Sequence, residues 1–186
     1  MPFVKINYED IYFDPKVQEM CVSKNFKCPY YNHSWSCPPA APYLEKQIAS
    51  YREYFLIYSK LDLEDYIKKE KKKNPNRSEL YIKSNYFYNK MDSSGLDKEF
   101  EIFLDQYDNP YSKKLLLYSG TCTYCNIESN QECTFDSGEP CRFPKERKYS
   151  MEAVGIEVIK TVLNLNLNIE YPSKKYSYKF GLACFK

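Results

Sequence analysis

Apolar residues follow two different periods along this chain, and the changes between them mark out its elements. The run Glu53-Tyr54-Phe55-Leu56-Ile57-Tyr58-Ser59 is almost continuously apolar and aromatic, so it predicts a buried strand. Lys114-Leu115-Leu116-Leu117-Tyr118 predicts a second, and residues 176–185, with alternating aromatics, a last one. Leu163, Leu165, Leu167 and Ile169 alternate with asparagines at period two and predict entry into another strand. Elsewhere the spacing is helical. Leu96, Phe100, Phe103, Leu104 and Tyr107 share one face, which predicts a helix over 96–107. Helices are also expected over 43–50, 63–73 and 78–90. Ser150 is placed to cap a helix from Met151 to about Leu163, with Glu152 in the first turn, where a carboxylate suits the positive helix end. Strands alternating with helices imply an α/β or α+β fold, a small mixed sheet with flanking helices.

Two segments break this pattern. Residues 21–42 contain Cys21, Cys28 and Cys37, and end in Cys37-Pro38-Pro39-Ala40-Ala41-Pro42, whose prolines cannot continue a helix. Residues 120–144 contain Cys122, Cys125, Cys133 and Cys141 among polar residues, with Gly138 and Pro140. Both read as cysteine-rich loops within a single domain spanning 1–186.

Composition narrows the chemistry. A net charge of +2 gives no strong field toward nucleic acid or an anionic membrane. The basic run from Lys68 to Lys73 leads into the turn signal Asn74-Pro75-Asn76 and reads as a solvated helix end. Twenty tyrosines against one tryptophan reads as a compositional bias. No secretory pattern opens the sequence, and no apolar run reaches the roughly 18 residues of a membrane span. A cytoplasmic protein with no membrane and no nucleic-acid partner is therefore expected. In that reducing compartment, clustered thiols bind metal or do redox chemistry rather than form disulfides. Seven of the eight cysteines fall in the two loops; Cys184 lies in the apolar run Gly181-Leu182-Ala183-Cys184-Phe185.

A Cys-x2-Cys pair such as Cys122 and Cys125 lets two thiolates converge from one tight turn. Cys133 and Cys141, each after seven intervening residues, can return to complete four ligands. Structural zinc commonly uses two short pairs, whereas iron–sulfur clusters accept one pair with distant partners. The spacing leans to iron–sulfur and leaves zinc as the alternative. Cys21, Cys28 and Cys37 form a second candidate set with its fourth position open to Cys184, His33, a carboxylate, solvent or a substrate. Cys184 would make two sets of four.

Two motifs carry a resemblance. One is Cys21-x6-Cys28 followed by Ser34-Trp35-Ser36-Cys37-Pro38-Pro39. The other is Cys122-x2-Cys125, Cys133, Cys141-Arg142-Phe143-Pro144 and then Ser150-Met151-Glu152-Ala153-Val154-Gly155. Together they resemble the uncharacterised "predicted metal-binding proteins" of prokaryotes, many of them anaerobes. The similarity covers most of the chain, although residues 68–89 match nothing in it. The resemblance implies metal ligation by Cys21, Cys28, Cys37, Cys122, Cys125, Cys133 and Cys141, with iron–sulfur as the expected form; Cys184 lies outside the motifs. Arg142, in the turn after Cys141, is a candidate hydrogen-bond donor to cluster sulfur or to an anionic partner.

Three functions stay open on the sequence. The first is an iron–sulfur protein carrying electrons to a redox partner protein through one or two 4Fe-4S clusters. The second is an enzyme binding substrate at an open iron, and the third a structural zinc protein with an interaction surface. No phosphate-binding glycine loop, His-Glu metalloprotease motif or serine elbow is present, and His33 is the only histidine.

Overall fold

The computed structural model describes residues 2–23, 26–89, 94–165, 167 and 169–186. Its strands are β1 (Phe3–Ile6), β2 (Val22–Ser23), β3 (Phe26–Lys27), β4 (Glu53–Asp62), β5 (Lys114–Tyr118), β6 (Tyr149–Ser150) and β7 (Tyr176–Phe185). Its α-helices are α1 (Glu45–Ile48), α2 (Leu63–Lys73), α3 (Glu79–Asn89), α4 (Ser94–Gln106), α5 (Tyr124–Ser129) and α6 (Val158–Asn164). The class is mixed α/β. Five strands form one sheet in the order β1-β4-β7-β5-β6, antiparallel except for the parallel β5–β6 pair. The strands β2 and β3 pair separately, beside the first cysteines.

The continuous apolar run of β4 is explained by burial on both sides of the sheet. Tyr54 and Leu56 face one layer with Ile48, Val154, Val162 and Leu182. Phe55 and Ile57 face the other, with Leu96, Phe100 and Phe103 of α4. Alternate side chains of a strand point to opposite faces, so a strand between two layers needs apolar residues throughout. Each such side chain contributes about 1.5–3 kcal/mol on full burial. At Gly181 of β7, a Cβ would stand 2.5 Å from the Phe100 ring and 2.7 Å from the Leu117 carbonyl oxygen. Only glycine allows α4 that close to the sheet. The Asp62 side chain accepts from the Glu64 and Asp65 amides to start α2, and Lys71, Lys72 and Lys73 occupy its last turn.

Two expectations are corrected. The helix expected from Met151 is instead a 3-10 turn, Glu152–Val154, followed by α6. Gly155, with φ of 94°, breaks it, and a Cβ there would stand 2.2 Å from the Tyr43 ring. The chain restarts at Glu157, whose side chain accepts from the Lys160 amide. The alternating segment 163–169 is not a strand among its described residues: α6 runs through Asn164, and Leu165, Leu167 and Ile169 pack against the core from irregular backbone. Its period-two signal is one of burial alone; Asn166 and Asn168 lie outside the described residues, as does Lys90 at the end of the expected 78–90 helix. Strand β1 and helix α5 were not anticipated. Among the described residues no helix is long and apolar enough to cross a membrane.

Candidate metal centre

Strand β5 delivers the chain through Gly120, at φ of 79°, to Cys122. Thr123 then opens α5, which carries Cys125 in its first turn and ends at Asn130 in the left-handed region (φ 50°). The loop beyond Cys133 closes on itself: Thr134 Oγ1 donates to the Pro140 carbonyl at 2.9 Å and Ser137 Oγ to the Thr134 carbonyl at 2.9 Å. Beyond that closed loop comes Cys141. Cys122, Cys125, Cys133 and Cys141 all line one cavity of about 610 Å³.

The opposite wall comes from the first cysteine loop. The Cys122 amide donates to Ser36 Oγ at 3.1 Å, Ser36 Oγ lies 3.0 Å from Ser34 Oγ, and the Cys133 thiol reaches Ser34 Oγ at 4.0 Å. Ser34 and Ser36 are both buried. Trp35 Nε1 donates to the Glu139 carbonyl at 3.2 Å, and its ring meets Phe135 edge-on at 4.9 Å. The two loops, nearly a hundred residues apart in sequence, are thus one structural unit.

Cys21, Cys28 and Cys37 lie near one another, with Cys37 against Ser36. The Cys28 amide donates to the Cys21 carbonyl at 2.8 Å. Burial, then the neighbouring Cys28 and Cys37 sulfurs and the Glu152 carboxylate, push the Cys21 thiol up to about 11. Burial also raises Cys37, against the Thr121 and Ser36 hydroxyls that favour its thiolate, and Cys28 adds to the rise. The Cys37 thiol contacts Thr121 Oγ1 at 3.4 Å and Ser36 Oγ at 3.9 Å. Ser36 therefore touches Cys37 and the backbone of Cys122 with one hydroxyl. Gln18 ties this region to the turn after β6, donating to the Ala153 and Ala41 carbonyls at 2.8 and 3.1 Å. Thiols that resist ionisation in this way are released as thiolates when a metal takes the place of the proton.

The remaining candidates fall elsewhere. Cys184 is fully buried in the apolar layer with Ile48, Tyr51 and Tyr54, and burial alone raises its thiol pKa strongly. His33 lines the cavity, with its exposed ring Nδ1 3.0 Å from Asp136 Oδ1. Arg142 is exposed and donates to the Glu132 carbonyl at 3.3 Å. Among the described residues, no three His, Cys, Asp or Glu side chains are drawn into a set that would hold a single metal ion.

Arg147 lines the cavity and was not foreseen. Its guanidinium lies over the Tyr149 ring, 5.0 Å from the centroid, and Nη1 donates to the Trp35 carbonyl at 3.4 Å. Its Nε is buried and has no hydrogen-bond partner among the described residues. A buried donor left unpaired costs roughly 1–3 kcal/mol, and more when charged. Tyr149 stands between charges of both signs: burial raises its phenol first, Arg147 lowers it, and Cys141 and Cys122 raise it. No local pattern marks Arg147 or Tyr149. Ser34 and Ser36 were readable only as the flanks of Trp35 in the first motif.

A mixed α/β sheet carrying two adjoining cysteine sets, one around a cavity, defines a cysteine-rich α/β protein with the donor chemistry of a metal site. The chain matches the family described as "Predicted metal-binding protein (DUF2284)" over residues 4–183, and it belongs to that family. No curated protein and no solved structure matches it.

Proposed function

We propose that the chain is an iron–sulfur protein in which Cys122, Cys125, Cys133 and Cys141 hold one 4Fe-4S cluster and Cys21, Cys28 and Cys37 a second, and that it passes electrons to a redox partner protein. The observation that carries this reading is that the four C-terminal cysteines line one cavity of about 610 Å³. Four thiolates on one zinc ion, with bonds of about 2.3 Å, stand only about 3.8 Å apart. A cavity of this volume suits a polynuclear group whose thiolates each bind a different iron. Such clusters supply one-electron redox chemistry when bound. The chain's own residues do the rest. Ser36 joins the Cys37 thiol to the Cys122 amide, and Trp35, packed on Phe135, lines the cavity.

A second reading follows from the place of Cys184. With Cys184 in the apolar layer, the set Cys21, Cys28 and Cys37 has three thiols, and a site with an open position can bind a substrate.

The test is metal and sulfide analysis on anaerobically purified protein. About eight irons per chain, with as much sulfide, are expected for two cubanes. Cys125→Ala and Cys28→Ala should each lose about half, and Cys125→Ala should also lower the thermal midpoint because metal binding supports folding. Zinc without sulfide would sink the reading. An open iron in the N-terminal set would appear as a change in the electron paramagnetic resonance spectrum on adding cyanide; an unchanged spectrum would favour electron transfer.

A further inference from the structure

The three cysteines of the first loop lack a fourth ligand, and the turn after β6 comes close to them. Cys21 ends the 3-10 helix Pro15–Cys21. A 3-10 helix has about three residues per turn, so Gln18 and Cys21 stand one above the other on the same edge. Gln18 shows where that edge faces: its Nε2 donates to the Ala153 carbonyl at 2.8 Å and to the Ala41 carbonyl at 3.1 Å. Ala153 belongs to the turn Glu152–Val154, which is fastened by its amide on Ser150 Oγ at 3.1 Å. The Ala41 amide in turn donates to the Cys37 carbonyl at 3.0 Å. One edge of the helix thus carries Cys21 toward Glu152 and toward the Cys37 turn. Cys28 joins them, with its amide on the Cys21 carbonyl at 2.8 Å. After burial, it is Cys28, Cys37 and Glu152 that act on the Cys21 thiol, and Cys28 also hydrogen-bonds with it. Glu152 is exposed as a residue; desolvation raises its carboxyl first, hydrogen bonds from its own amide and the Ser150 hydroxyl lower it, and Glu157 raises it. Two carboxylate oxygens offer about four acceptor sites, so those two hydrogen bonds leave lone pairs for a metal.

We infer that Glu152 is the fourth ligand of the set Cys21, Cys28 and Cys37, with a carboxylate oxygen on the iron that the three thiolates leave open. The inference rests on the cluster reading above and names what completes its second site. The other protein candidates lie elsewhere: Cys184 is in the apolar layer, and His33 lines the cavity of the other set, against Asp136. The described side chains form no set for a single ion, which agrees with ligands that each take a different iron. A carboxylate is a hard oxygen donor among soft thiolates, so it is the ligand that an incoming cyanide, thiol or substrate displaces. The exchange swaps one donor for another on the same iron and moves no electron. The exposure of Glu152 leaves the incoming group a path. The second site is then closed at rest and opened by exchange.

The experiment compares wild type, Glu152→Gln and Glu152→Cys, all purified anaerobically, by iron and sulfide content and by the electron paramagnetic resonance spectrum of the dithionite-reduced protein during a cyanide titration. Glu152→Gln removes the anionic oxygen, so its spectrum should change and it should respond at lower cyanide than wild type. Glu152→Cys supplies a fourth thiolate, so its spectrum should also change and its response to cyanide should be lost. Iron-loaded wild type and Glu152→Gln with the same spectrum and the same cyanide response would overturn the role of Glu152 and leave the cluster reading standing. Wild type without iron and sulfide would overturn both. Should Glu152→Gln fail to load, Glu152→Cys decides: a changed spectrum with no cyanide response supports the inference, and wild-type behaviour overturns it. Should neither variant load, the Mössbauer spectrum of the wild type decides: an iron with oxygen in place of a thiolate supports the inference, and uniform sulfur ligation overturns it.

Discussion

Cys184 and Cys37 are both buried cysteines, and their surroundings differ in kind. The Cys37 thiol meets the hydroxyls of Thr121 and Ser36, and Cys28 lies close by. Among the described residues Cys184 packs in an apolar layer with Tyr51 and Tyr54, surroundings that suit a small hydrophobe. Cys184→Ala is therefore expected to cost about 1 kcal/mol, the centre of the range for single substitutions, without altering iron content. Urea unfolding and iron analysis on the same sample check both halves. A loss of iron would make Cys184 a ligand and restore the count of two sets of four. The contrast between Arg142 and Arg147 has the same origin. Nothing in their local sequence separates the two arginines: Arg142 donates to the Glu132 carbonyl of its own loop, whereas Arg147 donates to the Trp35 carbonyl of the other cysteine loop.

Among the elements, the sheet edge shows how polar groups fasten apolar layers. Glu53, at the start of β4, accepts from Lys5 of β1, from the Tyr107 hydroxyl at 2.6 Å and from Asn109 Nδ2 at 3.3 Å, linking β1, β4 and the segment after α4. The hydrogen bond from Lys5, then that from Tyr107, hold its carboxyl below the ordinary value of 4.5. A depressed carboxylate stabilises the fold in full above its unfolded pKa, and that contribution fades as pH falls through the folded value. The fold should accordingly lose stability on acidification below about pH 4.5. Glu53→Gln should flatten that acid limb while changing little at pH 5 and above relative to its own plateau. Thermal midpoints measured from pH 3 to pH 7 would show it; parallel acid limbs for wild type and variant would rule this out.

Over the whole molecule, the sheet and the cysteine loops are separate sources of order. Among the described residues, the two apolar layers close around β4 and β7 and draw on neither loop. The loops are held by a few hydrogen bonds through Ser34, Trp35 and Ser36. Anaerobic removal of metal by a chelator should therefore lower the thermal midpoint, because a ligand of the native state stabilises it by mass action. It should leave far-ultraviolet circular dichroism nearly unchanged. Trp35, the single tryptophan, sits in the cavity wall, so its emission should rise as a quenching cluster leaves. Loss of the sheet signal together with the metal would show instead that the loops hold up the core.

What the amino-acid order determined by itself was local. The apolar runs of β4, β5 and β7 and the one-sided face of α4 were legible because burial on two faces or one leaves a periodic trace in the sequence. The grouping of cysteines into two short windows was legible for the same reason, as was the chemistry that thiols at such spacing can perform. Periodicity could not distinguish a strand from irregular backbone at Leu165, Leu167 and Ile169, since these pack against the core in either case. The spacing of apolar positions after Ser150 likewise carried no sign of the break at Gly155, which depends on the Tyr43 ring arriving from another part of the chain. The strand order, the seating of Ser34 to Cys37 against Cys122 and Cys133, the burial of Cys184 in the core and the placement of Arg147 in the cavity were decided only by tertiary structure. Each is a contact between residues far apart in sequence, and a chain records such a contact only in the residues it allows, not in their spacing.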